Sequence, residues 1–305
     1  MGKIKNIDLC VIGAGRVGVT ICYALSLRKS SGVKVKAISS RTAESLKRAR
    51  KFLGARAADI IFTRDNAKAA ALANCVLICT PDDSIRTVSD NIFKNKRNSY
   101  LKDYYVFHFS GSKPLAILDS ARAAGAEIAS IHPLKSFASA EEAIKSLPGT
   151  VFGVTFSSIK SKKMAEFLVR NLGGETIGVE DGKKPLYHAA ACAASNYLVT
   201  LMDYAVSIHK KIGIKPEDSL KGLICLAEGT VDNIKKMGTK KSLTGPIARG
   251  DMGTIKEHMA GFNKFFPKEY ADLYKTMGIE TSKIAHQNKW IDKNTAEELR
   301  KILKK

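Results

Sequence analysis

The sequence predicts an α/β protein: a doubly wound domain over residues 1–181 followed by an all-helical domain over residues 182–305. Three observations carry this expectation. Short β-rich runs alternate with helical stretches as far as Gly178, which implies βαβ crossovers and a parallel sheet. The first apolar run flows into Gly13-x-Gly15-x-x-Gly18, a strand-to-helix turn. After "EDGKK" the periodicity becomes helical and stays so to the end of the chain.

The strands expected in order are "IDLCVIG", "VKVKAISS", "DIIFT", "CVLICT", "YYVFHFS", "EIASIH", "TVFGVTFS" and the shorter "ETIGV". "RVGVTICYALSLRK", "RTAESLKRARKFLG" and "KPLAILDSARAAG" separate the earlier ones as helices. In the second domain Pro185 suits a first helical turn, and from there to Ile212 no stop signal is evident. "PEDSLKGLICLAEGTVDNIKKMG", "GTIKEHMAGFNKFF", "EYADLYKTMGIETSKIAHQ" and "TAEELRKILKK" continue in helical periodicity. There is no internal repeat and no low-complexity segment.

With 305 residues, each domain is large enough to bury its own core. The start, "MGKIKNIDLC", does not read as a signal peptide, and the most apolar long segment is interrupted by His188, Ser195, Asn196 and Asp203. A cytoplasmic location without membrane association is therefore expected. Cys75 and Cys79, placed on one strand, would stand about 13 Å apart at roughly 3.3 Å per residue, too far to share an ion. Reduced core thiols and no metal site are the expectation. The net charge of +21 favours anionic ligands. It does not indicate nucleic acid, because the lysines are dispersed and no basic run is interleaved with stacking aromatics.

The glycine turn reads as a dinucleotide site made of Gly13, Ala14, Gly15, Arg16, Val17 and Gly18. Gly13 permits the tight turn, Gly15 lets backbone approach a pyrophosphate, and Gly18 allows close helix-to-strand packing. The helix start offers free amides and partial positive charge to the phosphates. At the end of the second strand, where an acid would bind a ribose 2′-hydroxyl, stand Ser39, Ser40 and Arg41. Two hydroxyls and a guanidinium suit a 2′-phosphate, so NADP, as NADPH, is the expected cofactor. Thr80, Pro81, Ser110 and Gly111 end the fourth and fifth strands and are expected near the nicotinamide half, whereas Asp82 and Asp83 read as helix caps.

Reduction of a carbonyl needs a proton donor beside the substrate and a group to hold the rest of it. Three segments offer such groups. "SIHPLKSF" places His132 and Lys135 directly after a strand. "KKPLYHAAACAASNYL" places Lys184, His188 and Ser195 on one helical face, at 0°, about 40° and about 20° if each residue turns about 100°, with Asn196 flanking at about 120°. In "SLTGPIARGDMGTIKEHM" Gly250-Asp251 reads as a second helix start, and Arg249 suits a substrate carboxylate or phosphate.

"HPLKSF", "YHAAACAASNYL" and "LTGPIARGD", together with the glycine turn, make the chain resemble bacterial Rossmann-like proteins carrying a C-terminal domain of unknown function 2520. The resemblance covers nearly the whole chain. It implies kinship with the ketopantoate reductases, pyrroline-5-carboxylate reductases and β-hydroxyacid dehydrogenases, and hence a homodimer that reduces its substrate with NADPH. Lys184 and His188 look like the Lys-x-x-x-Asn pair of β-hydroxyacid dehydrogenases, with His in place of Asn. His132-Pro133 is similar to the His-Pro of prephenate dehydrogenases. The expected activity is reduction of a small anionic oxo acid, ketopantoate-like, or of an imine, with Lys184 or His188 as general acid, His132 as a further catalytic candidate, and Ser195, Asn196, Lys135, Arg249 and Asp251 orienting or holding the substrate. The alternative is a non-catalytic NADP-binding sensor or scaffold.

Overall fold

The computed structural model describes residues 7–27, 32–94, 101 and 103–304; Met1–Asn6, read above for a leader, and Arg28, Lys29 and Lys305 of the expected helices lie outside them. Among the described residues eight strands form one sheet: β1 (Ile7–Ile12), β2 (Val33–Ser39), β3 (Ile61–Thr63), β4 (Cys75–Ile78), β5 (Tyr105–His108), β6 (Glu127–Pro133), β7 (Val151–Phe156) and β8 (Glu175–Gly178). Their order is β3-β2-β1-β4-β5-β6-β7-β8, so the chain reverses direction across the sheet between β1 and β4. That switch point is where α/β sheets open a crevice, and the glycine turn leads out of β1 into it.

The central strands are apolar without interruption because both of their faces are covered. Leu9, Val11, Leu77 and Phe107 enter one core; Cys10, Ile12, Val76, Ile78 and Val106 enter the other. Alternate residues of one strand thus serve opposite layers of helix. Cys75 and Cys79 sit in this interior, where burial raises their thiols well above the ordinary range. Helices α1 (Arg16–Ser26), α2 (Ala43–Leu53), α3 (Asn66–Ala71), α4 (Ile85–Phe93), α5 (Asp119–Ala123), α6 (Ala140–Lys145) and α7 (Ile159–Asn171) accompany the strands.

One strand departs from the expected parallel arrangement. β7 runs antiparallel to β6, with His132 opposite Gly153. The intervening α6 has only six residues and packs beside α1, where Val19, Ala49 and Ala140 form a small apolar cluster. It therefore does not act as a crossover across the sheet.

The chain divides into compact units Met1–Tyr197 and Leu198–Lys305. The change to helical character at Asp181 and this division are different places: α8 (Lys184–Ala194) belongs with the sheet. The expected continuous helix also breaks. Ser195, at φ −117° and ψ −68°, separates α8 from α9 (Asn196–Lys211).

In the second unit α10 (Pro216–Lys241) is interrupted at Gly238, whose φ of +77° favours glycine. Helices α11 (Met252–Phe265), α12 (Lys268–Gln287) and α13 (Lys293–Lys304) close around Ile255, Met259, Phe262, Leu299 and Leu303. No helix among the described residues is long and apolar enough to cross a membrane.

Candidate functional site

The glycine turn has the shape that its spacing implies. Gly13 adopts φ +110°, and a Cβ there would lie 2.7 Å from the Cys79 carbonyl oxygen. A Cβ on Gly18 would lie 2.0 Å from the Gly13 carbonyl oxygen, so α1 can approach β1 only without a side chain. Around Gly15, by contrast, a Cβ would meet nothing within 4 Å: the turn is open on the side a ligand would use. No side chain caps the start of α1 and its first turn carries no acid, which leaves the first amides for an anion. Ala14, Gly15 and Arg16 border a cleft of about 770 Å³, and the Arg16 guanidinium donates to the Phe137 carbonyl at 3.4 Å; Val17 is half-buried against the core.

At the end of β2 the three expected residues separate. Ser39 is fully buried, its hydroxyl donating to Asn66 Oδ1 at 2.7 Å and its carbonyl accepting from the Gly13 amide at 2.8 Å. It braces the turn from behind. Ser40 is half-buried and Arg41 exposed, and Thr42 caps α2. Thr80 follows β4 with its hydroxyl buried and without a partner among the described residues; the exposed Pro81 comes next. An orphaned buried hydroxyl beside the glycine turn suits a bound polar group.

Asp82 is not the helix cap that its position suggests. Its carboxylate accepts from the hydroxyls of Ser110 at 2.6 Å and Ser112 at 3.2 Å, tying the loop after β4 to the loop after β5. Asp83 pairs with Lys113. The Ser110 hydroxyl also accepts from the Lys113 amide, so the side chain is committed to this loop.

The backbone of Ser110 has a second task. Lys184, at the start of α8, is 1% exposed, and its ammonium donates to the Ser110 carbonyl at 3.1 Å and to the Ser130 hydroxyl at 2.6 Å. Among the described residues no carboxylate pairs with it at ion-pair distance. Burial lowers its pKa from 10.5 to about 8, with Asp181 and Asp82 opposing the fall.

Ser130 and His132 are two residues apart on β6 and so share a face. The His132 Nδ1 lies 3.1 Å from the Tyr187 hydroxyl, and its ring meets the His188 ring edge-on at 5.6 Å. Burial, followed by the charges of His188 and Lys184, lowers His132 to about 4. It is neutral at pH 7. His108, at the end of β5 opposite Ser130, is lowered to about 3 chiefly by burial; its Nδ1 accepts from the Ser110 amide and its Nε2 has no partner among the described residues.

Two glycines make this gathering possible. A Cβ on Gly111 would stand 2.6 Å from His188 and 2.8 Å from His132; one on Gly153 would stand 2.3 Å from the Tyr187 hydroxyl oxygen. His132, Lys135, Tyr187, His188, Ser195 and Asn196 line a cleft of about 700 Å³. Cys192 lies at its wall, 3.7 Å from His188 Nδ1. Lys135 donates to Ser146 within reach of the same opening.

The structure thus brings together Lys184, His188, His132, Lys135, Ser195 and Asn196 of the expected residues. Arg249 and Asp251 belong to the second unit. Arg249 is exposed, and Asp251 caps α11, accepting from the Thr254 amide and hydroxyl, which lowers its carboxyl below the usual range. Sequence reasoning missed Tyr187, Ser130, His108 and the bridging role of Asp82. The glycine in the middle of "TVFGVTFS" was the available signal for Tyr187, since an interior strand glycine marks a close approach.

The fold and the glycine turn define a Rossmann-like protein. Residues 3–133 match the Rossmann-like domain family and residues 150–281 match the family described as domain of unknown function 2520, so the chain belongs to the proteins that join these two domains. No curated protein matches its sequence. Among solved structures it is similar to a Bacteroides fragilis protein with a provisional NADP oxidoreductase assignment (18% identity, 91% of this chain and 98% of that one, TM-score 0.70). It is also similar to a protein of Thermotoga maritima (23%, 97% and 98%, 0.63) and to pyrroline carboxylate reductase of Plasmodium falciparum, solved with NADP bound (13%, 98% and 98%, 0.59). At these identities the likeness establishes the fold.

Proposed function

We propose that the chain is an NADPH-dependent reductase of a small anionic oxo acid, ketopantoate-like, or of an imine. The observation that carries this reading is Lys184: a buried ammonium without an ion-paired carboxylate among the described residues, at the start of the helix whose Tyr187 and His188 line an open cleft. The glycine turn fits the cofactor, since it is open at Gly15 and closed to side chains at Gly13 and Gly18. Backbone of Gly13 to Gly18 would hold the pyrophosphate, Ser40 and Arg41 the ribose phosphate, and Thr80 a polar group nearer the nicotinamide. NADPH, when bound, supplies a hydride.

The residues of the chain supply the proton. With a pKa of about 8, Lys184 is mostly protonated at pH 7 yet gives up its proton far more readily than a surface lysine. Ser110 and Ser130 accept two of its hydrogen bonds, and the third N–H would serve the substrate oxygen or nitrogen. That proton would complete the alcohol or amine of the reduced substrate. Neutral His132, held by Tyr187, and His188 orient the substrate, and the Lys135 ammonium favours its carboxylate. The internal bonding of Lys184 also suits the second reading, a non-catalytic NADP-binding sensor or scaffold.

The test is a fluorescence titration with NADPH and NADH, followed by NADPH consumption with oxo acids and imines. Binding with turnover supports the reductase; binding without turnover on any of them supports the scaffold. The same reading includes a homodimer. Leu186 on α8, Val199 on α9 and Leu226 on α10 are 77%, 70% and 69% exposed, apolar surface that a second copy would cover. Light scattering at twice the chain mass is the expected result.

A further inference from the structure

β2 and β3 end side by side, and each is followed by an arginine. Ala37, Ile38 and Ser39 pair with Ile61, Phe62 and Thr63, so Ser40-Arg41 and Arg64 emerge from adjacent strands at the carboxyl edge. The Ser40 amide donates to the Thr63 carbonyl at 3.3 Å, and the Arg64 Nε donates to the Arg41 carbonyl at 3.1 Å. Arg64 is thereby fixed to the turn that carries Arg41. Its two terminal Nη groups remain as donors.

Among the described residues neither guanidinium has an ion pair. Both side chains are exposed, and the acids nearest in sequence are engaged elsewhere: Glu44 pairs with Arg48, and Asp65 caps α3 by accepting the Lys68 amide. Two exposed arginines at adjacent strand ends, one tied to the other's backbone and the neighbouring Asp65 bonded to an α3 amide, suit a doubly charged, tetrahedral anion better than a hydroxyl. The position selects which anion. The Ser39 carbonyl ties this turn to Gly13, and β3 lies beyond β2 on the side away from β1. An anion at Arg64 would therefore lie across β2 from a pyrophosphate held at the glycine turn.

We propose that Arg64 is a direct ligand of the adenosine 2′-phosphate and, with Ser40 and Arg41, sets the preference for NADPH over NADH. This rests on the nucleotide-binding reading above and adds to it a residue from a different strand. The hydrogen bond to the Arg41 carbonyl preorganises the pair.

The experiment titrates the full-length protein with NADPH, NADH, adenosine 2′,5′-bisphosphate and 5′-AMP. Arg64→Ala should weaken NADPH and the bisphosphate about tenfold, the value of one charge-assisted hydrogen bond at an exposed site, and leave NADH and 5′-AMP unchanged. Added to Arg41→Ala, it should weaken NADPH again. If it adds nothing in that background, Arg64 only braces the turn and the proposal fails. An unchanged ratio of NADPH to NADH affinity in Arg64→Ala also overturns it, while leaving the nucleotide site standing. Binding of none of the four compounds removes both.

Discussion

The carboxyl edge of one sheet carries cations at two places and treats them in opposite ways. Beside β2 and β3, Arg41 and Arg64 stand in water. Beside β5 and β6, Lys184 is taken out of water and bonded only to neutral oxygens, so burial works against its charge. The difference teaches which end can bind and which can react. A permanent charge in solvent attracts an anion without changing state, whereas a desolvated amine can surrender a proton near neutral pH.

The glycine turn lies between the two places, and breaking it should have the largest effect. Gly18→Val would force a side chain against the Gly13 carbonyl oxygen, where even a Cβ would stand at 2.0 Å. NADPH binding should be lost in titration, with a stability cost of about 1–3 kcal/mol or more from overpacking in thermal unfolding. Binding at wild-type strength would break the idea that the turn joins the two places into one site.

Next in size is the chemistry at Lys184. Lys184→Met keeps the length of the side chain and removes the proton, so turnover of whichever substrate the wild type reduces should fall about 100- to 10,000-fold with NADPH affinity unchanged. Equal turnover would reduce Lys184 to a packing residue. In the wild type the rate should decline as pH rises through about 8.

The smallest effect is on stability, and its sign separates the buried cation from the exposed ones. The folded pKa of Lys184 lies near 8, below the 10.5 of the unfolded chain. Below pH 8 both states are protonated and the buried charge costs up to about 3 kcal/mol, at about 1.4 kcal/mol per pH unit of the difference. Between pH 8 and 10.5 the unfolded chain binds more protons, so stability rises with pH. Denaturant unfolding of wild type against Lys184→Met should show the wild type gaining over that window; a parallel pair of curves would contradict the buried, charged amine.

Much of this molecule is written in short-range pattern. The alternation of strand and helix, the Gly13 to Gly18 spacing, the arginine after β2 and the entry of α8 at Lys184-Pro185 are all legible because strand and helix periodicities, and the steric needs of a tight turn, act over a few residues. Asp82 shows where that logic stops. It stands where a cap would stand, yet its partners Ser110 and Ser112 come from the loop after the next strand, about thirty residues along the chain, brought close when β5 pairs with β4. Lys184 was legible as a candidate, but its bonds to Ser110 and Ser130, and the loss of water that tunes it, depend on β5 and β6 being neighbours. Tyr187 over Gly153 needs the antiparallel β7, and Arg64 joins Arg41 only because β3 flanks β2. Sequence alone determined the elements and the residue types at their ends. The tertiary structure decided which of those ends meet, because desolvation and hydrogen bonding depend on distance in space rather than on separation along the chain.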